Sequence, residues 1–335
     1  MTMTLRPDRI MKLASAFYDS CVLFTASDLG IFRQLAESGS ADAAEVAAAL
    51  ELDPRATRLL LDACVALELL IKQDVSYCNT PETAAFLVSG AAGDLSRAIR
   101  YNRDVYAAWG ALPELVRNGK PVEAPEIHLG DNPARTRAFV MAMHGRAMGI
   151  GRMVIPMLQL PESGHLLDIG GGSGAYAILA AQQQPGLTCM MMDLPGVVAI
   201  ASELVEAAGV SDRVTCIAGD YHTAEFPGEN DVVNILGVLH QESPESIVDI
   251  FTRCHKALKP GGVINVLDMM TDATRCRPSF SALFAVNMAL TTTNGWVFSD
   301  EDLAEWLTTA GFVDFSCQPV PPPMPHWLAR ARKPA

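Results

Sequence analysis

Between residues 165 and 267 the chain repeats one arrangement, an apolar run of five or six residues followed in most cases by a stretch of helical periodicity. The runs are 165–169, 188–193, 214–218, 231–236 and 263–267, with helices expected from Ala175, over 197–208 and over 244–258. Apolar strands joined by helices pair in parallel and need both sheet faces covered, so this half is expected to be a doubly wound, Rossmann-like α/β sheet. Ser299 is expected to cap a helix over 300–310 that stops at Gly311, and 313–318 with 327–332 to close the sheet as an antiparallel hairpin around a Pro-rich turn at 321–325.

The first run opens into Asp168-Ile169-Gly170-Gly171-Gly172-Ser173-Gly174. Ligands of doubly wound sheets sit beyond the carboxyl ends of the strands, and glycines there let the backbone turn tightly and approach a ligand. Gly170-x-Gly172-x-x-Ala175 also satisfies the loose dinucleotide pattern, and Asp193, ending the second strand, suits ribose hydroxyls of either kind of cofactor. Two further carboxylates tip the balance towards S-adenosylmethionine (SAM). Asp168 is placed for an ammonium group, directly or through water, and Asp220 in Gly219-Asp220-Tyr221 for an adenine amino group; neither role involves phosphate.

The segments 168–174, Asp193-Leu194-Pro195, Gly219-Asp220, Leu239-His240 and Leu258-Lys259-Pro260-Gly261-Gly262 occur in the order of class I SAM-dependent methyltransferases. Over nearly its full length the chain resembles the caffeic-acid and hydroxyindole O-methyltransferases and their bacterial relatives. The resemblance implies that Gly170 and Gly172 approach the cofactor, Asp193 and Leu194 hold its ribose, and Asp220 and Tyr221 flank its adenine. It also implies His240 as the base that removes the acceptor's proton, oriented by Asp268, which stands where the family has a glutamate. The chain departs from the family at three places. Gln241 replaces an aspartate found in plant members, Leu236 replaces a lysine, and a second glutamate flanking the histidine is replaced near Val297.

The reaction such residues imply is methylation of a small hydroxylated aromatic molecule. The sulfonium methyl is already activated, so alignment supplies much of the catalysis and histidine, titrating near neutral pH, serves a hydroxyl acceptor. Trp109, Met143, His144, Phe284, Asn287, Met288 and Asn294 are the candidates for the acceptor pocket, because Met and aromatic side chains adapt to flat ligands. The rival readings are a C- or N-methyltransferase on the same scaffold, an NAD-dependent oxidoreductase and a ligand-sensing transcriptional regulator.

The last of these arises because residues 1–95 read as an all-helical, winged-helix-like module. Helices are expected over 8–24, from an N-cap at Ser40, and from Pro54 in the next first turn, with a small hairpin at 72–79 as the wing. Its first hundred residues hold 9 Lys/Arg against 13 Asp/Glu, and the whole chain carries a net charge of −13, which opposes binding to nucleic acid or to an anionic membrane. The module's apolar face is expected to pack against a second copy of the chain. Residues 96–155 are expected to be a helical linker that contributes to the acceptor pocket, with breaks at 119–121 and 130–133, and 156–335 the SAM-binding domain. The eight scattered cysteines lack the close spacings of zinc sites and read as reduced thiols, and no metal is expected. Nothing approaches the roughly 20 apolar residues of a membrane span, and the first ten residues lack the apolar core of a secretion signal, so a cytoplasmic protein is expected.

Overall fold

The computed structural model describes residues 6–91, 93–123, 132–322 and 324–335. Gly130 and Asp131 of the expected break, Pro323 of the Pro-rich turn and the first five residues of the N-terminal segment lie outside the described residues. The chain divides into two compact units, one up to Asp104 and one from Val105 onward.

In the first unit the helical stretch expected over 8–24 is two helices, Asp8–Ser15 and Phe17–Asp28. The cap expected at Ser40 falls two residues later. Asp42 accepts the N–H groups of Ala44 and Glu45 while Glu45 accepts the N–H of Asp42, a reciprocal capping box at the start of Ala43–Ala49. Pro54 opens Pro54–Ala66 behind an Asp53 cap, as its fixed φ allows. The expected hairpin is Leu70–Gln73 paired with Ser76–Asn79, and Ala41–Asp42 adds to it, so the unit carries a three-stranded sheet beside its helices. Its core gathers Ile31, Phe32, Leu35, Val46, Leu61 and Tyr77.

The second unit is a seven-stranded sheet with helices on both faces. Short helices Tyr106–Gly110 and Leu112–Asn118 precede the long helix α1 (Pro133–Val154). The sheet then runs β1 (Ser163–Ile169), α2 (Ala175–Gln183), β2 (Gly186–Asp193), α3 (Pro195–Ala207), β3 (Val214–Ala218), β4 (Asn230–Leu236), α4 (Pro244–Ala257) and β5 (Leu258–Asp268). Helices α5 (Ser279–Thr291) and α6 (Asp300–Thr309) lead to the hairpin β6 (Val313–Pro319) and β7 (Trp327–Arg332). In space the order is β3-β2-β1-β4-β5-β7-β6, with the first five strands parallel and β7 antiparallel to both neighbours.

Successive residues of a strand face opposite ways, and the two cores show it. Leu166 packs with Tyr176, Ala177, Val205 and Val154 on one face; Leu167 and Ile169 pack with Ile250, Phe251, Leu303 and Phe312 on the other. The strand expected at 263–267 is longer than its apolar run. Lys259-Pro260-Gly261-Gly262 lies within β5, accommodated where the β4–β5 register shifts between Asn230 and Val232. Among the described residues no helix is long and apolar enough to cross a membrane.

Candidate active site

The order of strands reverses on either side of β1, and the crevice there opens at the carboxyl ends of β1 and β4. Gly170 and Gly171 both donate to the Met192 carbonyl, at 2.9 and 3.2 Å, which ties the glycine turn to the end of β2. Gly170 has φ +65°, and a Cβ on it would stand 2.6 Å from Val238 Cγ2, so the turn also lies directly against the segment carrying His240. Gly172 has φ +56° with no atom within 4 Å of where its Cβ would be. Its side of the loop is therefore bare backbone facing open space, the geometry a closely approaching ligand needs.

Asp193 braces this loop. Its two oxygens accept the N–H groups of Gly172 and Leu194, each at 2.7 Å. Burial pushes its carboxyl up, against the pull of those two hydrogen bonds. A carboxylate has about four lone-pair sites, so accepting two N–H groups leaves room for ribose hydroxyls.

Asp168 sits beneath the loop on the face covered by α1 and α2. It is 1 % exposed, and neither oxygen has a hydrogen-bond partner among the described residues. Burial, reinforced by the charge of Asp193, pushes it up to about 8. A buried carboxylate without donors is expensive unless something is meant to supply them, and an ammonium group or a water held by one does so. Arg146, on α1, makes no ion pair or hydrogen bond among the described residues, and its charge acts on Tyr176 one residue into α2. The orphaned Asp168 carboxylate complements the ammonium end of an amino acid. His144, two residues before Arg146, meets Ser173 of the glycine loop (Nδ1···Oγ 2.9 Å).

Asp220 and Tyr221 follow β3. Asp220 is exposed and accepts the N–H of His222 at 2.9 Å. The Tyr221 hydroxyl donates to Glu242 Oε1 at 2.7 Å, and burial pushes its ionisation up, so it remains a neutral donor.

His240 lies in a 3-10 turn, Leu239–Gln241, just after β4. Its Nδ1 is 2.7 Å from Asp268 Oδ1, and its main-chain N–H donates to Asp268 Oδ2 at 3.2 Å. Asp268, 1 % exposed at the end of β5, also accepts the Met269 N–H at 2.8 Å. An ionised carboxylate only accepts, so Nδ1 carries the proton and Nε2 presents a lone pair. Nε2 has no partner among the described residues, and the Phe284 ring packs edge-on at 5.3 Å. His326, buried just before β7, is pushed down to about 4 by burial and by the Arg146 charge, which keeps it neutral.

On α5 the side-chain oxygen of Asn287 accepts the Trp109 indole N–H at 2.9 Å, so this embedded amide has a side-chain partner. Met288 is buried beside it and Met143 is partly buried on α1, whereas Asn294 is exposed with no hydrogen bond among the described residues. Val297, where the family's second glutamate is replaced, is buried and apolar. Sequence reasoning missed Arg146, Glu242, Trp296 and His326. A Trp directly after the polar stretch 291–295 was the one local signal for any of them.

A family model described as an O-methyltransferase domain matches residues 121–313, and one described as an O-methyltransferase dimerisation domain matches residues 11–89. The chain is 30% identical over 312 residues to 3-hydroxy-5-methyl-1-naphthoate 3-O-methyltransferase of Streptomyces sahachiroi, covering 91% of this chain and 89% of that one. It is 32% identical to acetylserotonin O-methyltransferase of Rattus norvegicus, over 90% of this chain and 72% of that one. Its fold superposes on the crystal structure of human N-acetylserotonin methyltransferase in complex with SAM with a TM-score of 0.88, at 28% identity and with both chains covered completely.

Proposed function

Because the chain belongs to the O-methyltransferase family, with that family's catalytic and dimerisation domains, we propose that the crevice beside β1 performs SAM-dependent O-methylation of a small hydroxylated aromatic acceptor with His240 as the base. The observation that carries this reading is the His240–Asp268 pair, a histidine whose proton-bearing Nδ1 is fixed by a buried carboxylate and whose Nε2 is left available.

Asp168 and Arg146 hold the ammonium and carboxylate of the cofactor's methionine part, Gly170 and Gly172 let the backbone approach it, and Asp193 with Leu194 holds the ribose. Asp220 and Tyr221 flank the adenine. Bound SAM supplies an electrophilic sulfonium methyl. The protein's part is to exclude water, align the acceptor and take its proton. His240 Nε2 accepts the hydroxyl proton as the oxygen attacks, and Asp268 stabilises the imidazolium that results. Trp109, Met143, Phe284 and Met288 form the acceptor's apolar wall, with the Asn287 amide among them, His144 on the glycine-loop side and Asn294 at the rim. Residues 1–95 are a winged-helix-like dimerisation module whose apolar surface meets a second copy, residues 96–155 link it to the SAM-binding domain of 156–335, and the homodimer works in the cytoplasm.

Titration calorimetry with SAM, S-adenosylhomocysteine and NAD in parallel, followed by a methyl-transfer screen over phenols, naphthols and hydroxyindoles, tests the reading. Micromolar binding of the two sulfur nucleotides and turnover on a hydroxylated aromatic are expected. Binding of NAD alone, or methyl transfer only to carbon or nitrogen acceptors, overturns it.

A further inference from the structure

The turn that presents His240 is held from outside by a residue far along the chain. Trp296, in the segment between α5 and α6, donates its main-chain N–H to the His240 carbonyl at 2.9 Å and its indole N–H to the Glu242 carbonyl at 2.7 Å. The two bonds bracket the turn: one grips the histidine itself, the other the residue that follows Gln241. The Trp296 ring packs against Trp306 of α6 at 5.7 Å and Phe298 at 6.1 Å between centroids, while Phe298 meets Trp306 at 5.4 Å and the Arg275 guanidinium lies 5.6 Å over the indole.

Glu242 adds a second tie. Its side chain, 5% exposed, accepts from the Tyr221 hydroxyl and from the Ser246 hydroxyl, each at 2.7 Å, so the end of the turn is fixed to the segment after β3 and to α4. Asp268 sets the imidazole's tautomer and holds the histidine's own main-chain N–H. It does not restrain the turn's carbonyls, and a short 3-10 turn has few hydrogen bonds of its own.

We propose that Trp296 is a positioning residue for His240, holding the main chain of the turn through two carbonyls so that Nε2 keeps a fixed direction. It rests on the reading of His240 as base. A hydrogen bond to the carbonyl of a residue two removed from the imidazole binds neither cofactor nor acceptor, so its loss changes where the base sits and leaves the ligand sites intact. Displacements of an ångström at a reacting group cost rate out of proportion to the contact removed.

Trp296→Phe keeps an aromatic ring and the main-chain donor while removing the indole N–H together with the volume of the second ring. It is expected to lower kcat about tenfold while the acceptor KM and the SAM Kd change less than about twofold. In a His240→Ala background the same change is expected to lower the residual rate no further, because residues acting through one another are not additive. Hydrogen exchange of the peptide spanning residues 237–243 is expected to quicken in Trp296→Phe, a readout that needs no activity. An equal loss of kcat in both backgrounds, or unchanged kcat with unchanged exchange, overturns the proposal. Full activity of His240→Ala alone would instead overturn the assignment of the base, which separates the two failures.

Discussion

A histidine becomes a useful base through what holds the other side of its ring. Asp268 does this for His240 with both oxygens, one on Nδ1 and one on the main-chain N–H, and its own desolvation is offset by the Met269 N–H. His240→Ala is therefore expected to lower turnover at least about a hundredfold with SAM affinity nearly unchanged, measured by initial rates and calorimetry on the same preparation. Undiminished turnover would show that the acceptor loses no proton to this side chain. Asp168 makes a different prediction. Raised to about 8 by burial and by Asp193, it keeps its proton in the ligand-free fold over a window where an unfolded carboxyl, titrating at about 3.9, has lost it. The folded state binds the extra proton there, so the contribution of Asp168 to the stability of the unliganded protein falls as pH rises from about 4 to about 8, against the buried neutral His326, whose contribution rises between about 4 and 6.5. An ammonium group beside Asp168 favours the ionised form, so binding SAM near pH 7 is expected to expel about one proton and to tighten as pH rises towards 8. Calorimetry in two buffers of different ionisation heat measures that proton. Asp168→Asn should bind more weakly and release none, and a wild-type protein releasing none would remove the ammonium from this site. At this scale the sequence was informative wherever a role is local to a strand end. The glycine turn, Asp193 and the His240–Asp268 pair all lie at carboxyl ends of parallel strands. Trp296 and Glu242 lie 54 residues apart, and neither residue type announces a main-chain contact at that distance.

The glycine turn is where an element and a ligand make separate demands on the same residues. Gly170 and Gly172 both have positive φ, but only Gly170 faces protein, the Val238 side chain. Alanine at 170 is expected to cost about 2 kcal/mol of stability, through backbone strain and the displacement of Val238. Alanine at 172 carries similar strain without a clash, so it should weaken SAM binding by much more than it lowers stability. Urea unfolding with parallel SAM titration distinguishes the two variants, and a Gly172→Ala protein binding SAM normally would mean that the bare side of the loop does not face the cofactor. Element boundaries were read from the sequence to within a few residues. Periodicity placed every strand of the doubly wound sheet and the closing hairpin. Two boundaries moved for physical reasons: Asp42 outcompetes Ser40 as a cap because Glu45 can complete a capping box, and a Pro-Gly-Gly stretch that reads as a loop remains within β5 because the register shift absorbs it.

For the molecule as a whole, the first helix is the part that needs explaining. Asp8–Ser15 buries no residue, and Ile10, Met11 and Leu13 are each more than 60% exposed, followed by Phe17 and Tyr18 at 49% and 60%. An apolar surface of this extent marks an interface in a water-exposed protein. Sedimentation is expected to show a homodimer, and Leu13→Asp with Met11→Asp to weaken it; a monomeric wild-type chain would leave the exposed helix unexplained. The sequence indicated a second copy through the apolar face of its N-terminal module and its family resemblance, but a pairing between two molecules leaves no periodicity by which to read its geometry. The sheet has a further consequence. Its interior position between β5 and β6 belongs to β7, the strand made last of the seven. While a ribosome is still adding residues before Trp327, β5 and β6 have no common neighbour, and the open edge of β5 is exposed to any chaperone or stray strand that meets it. Closure of this half of the sheet must therefore wait until synthesis has passed Arg332, so a nonsense codon at Trp327 would leave six of the seven strands made and the sheet split in two.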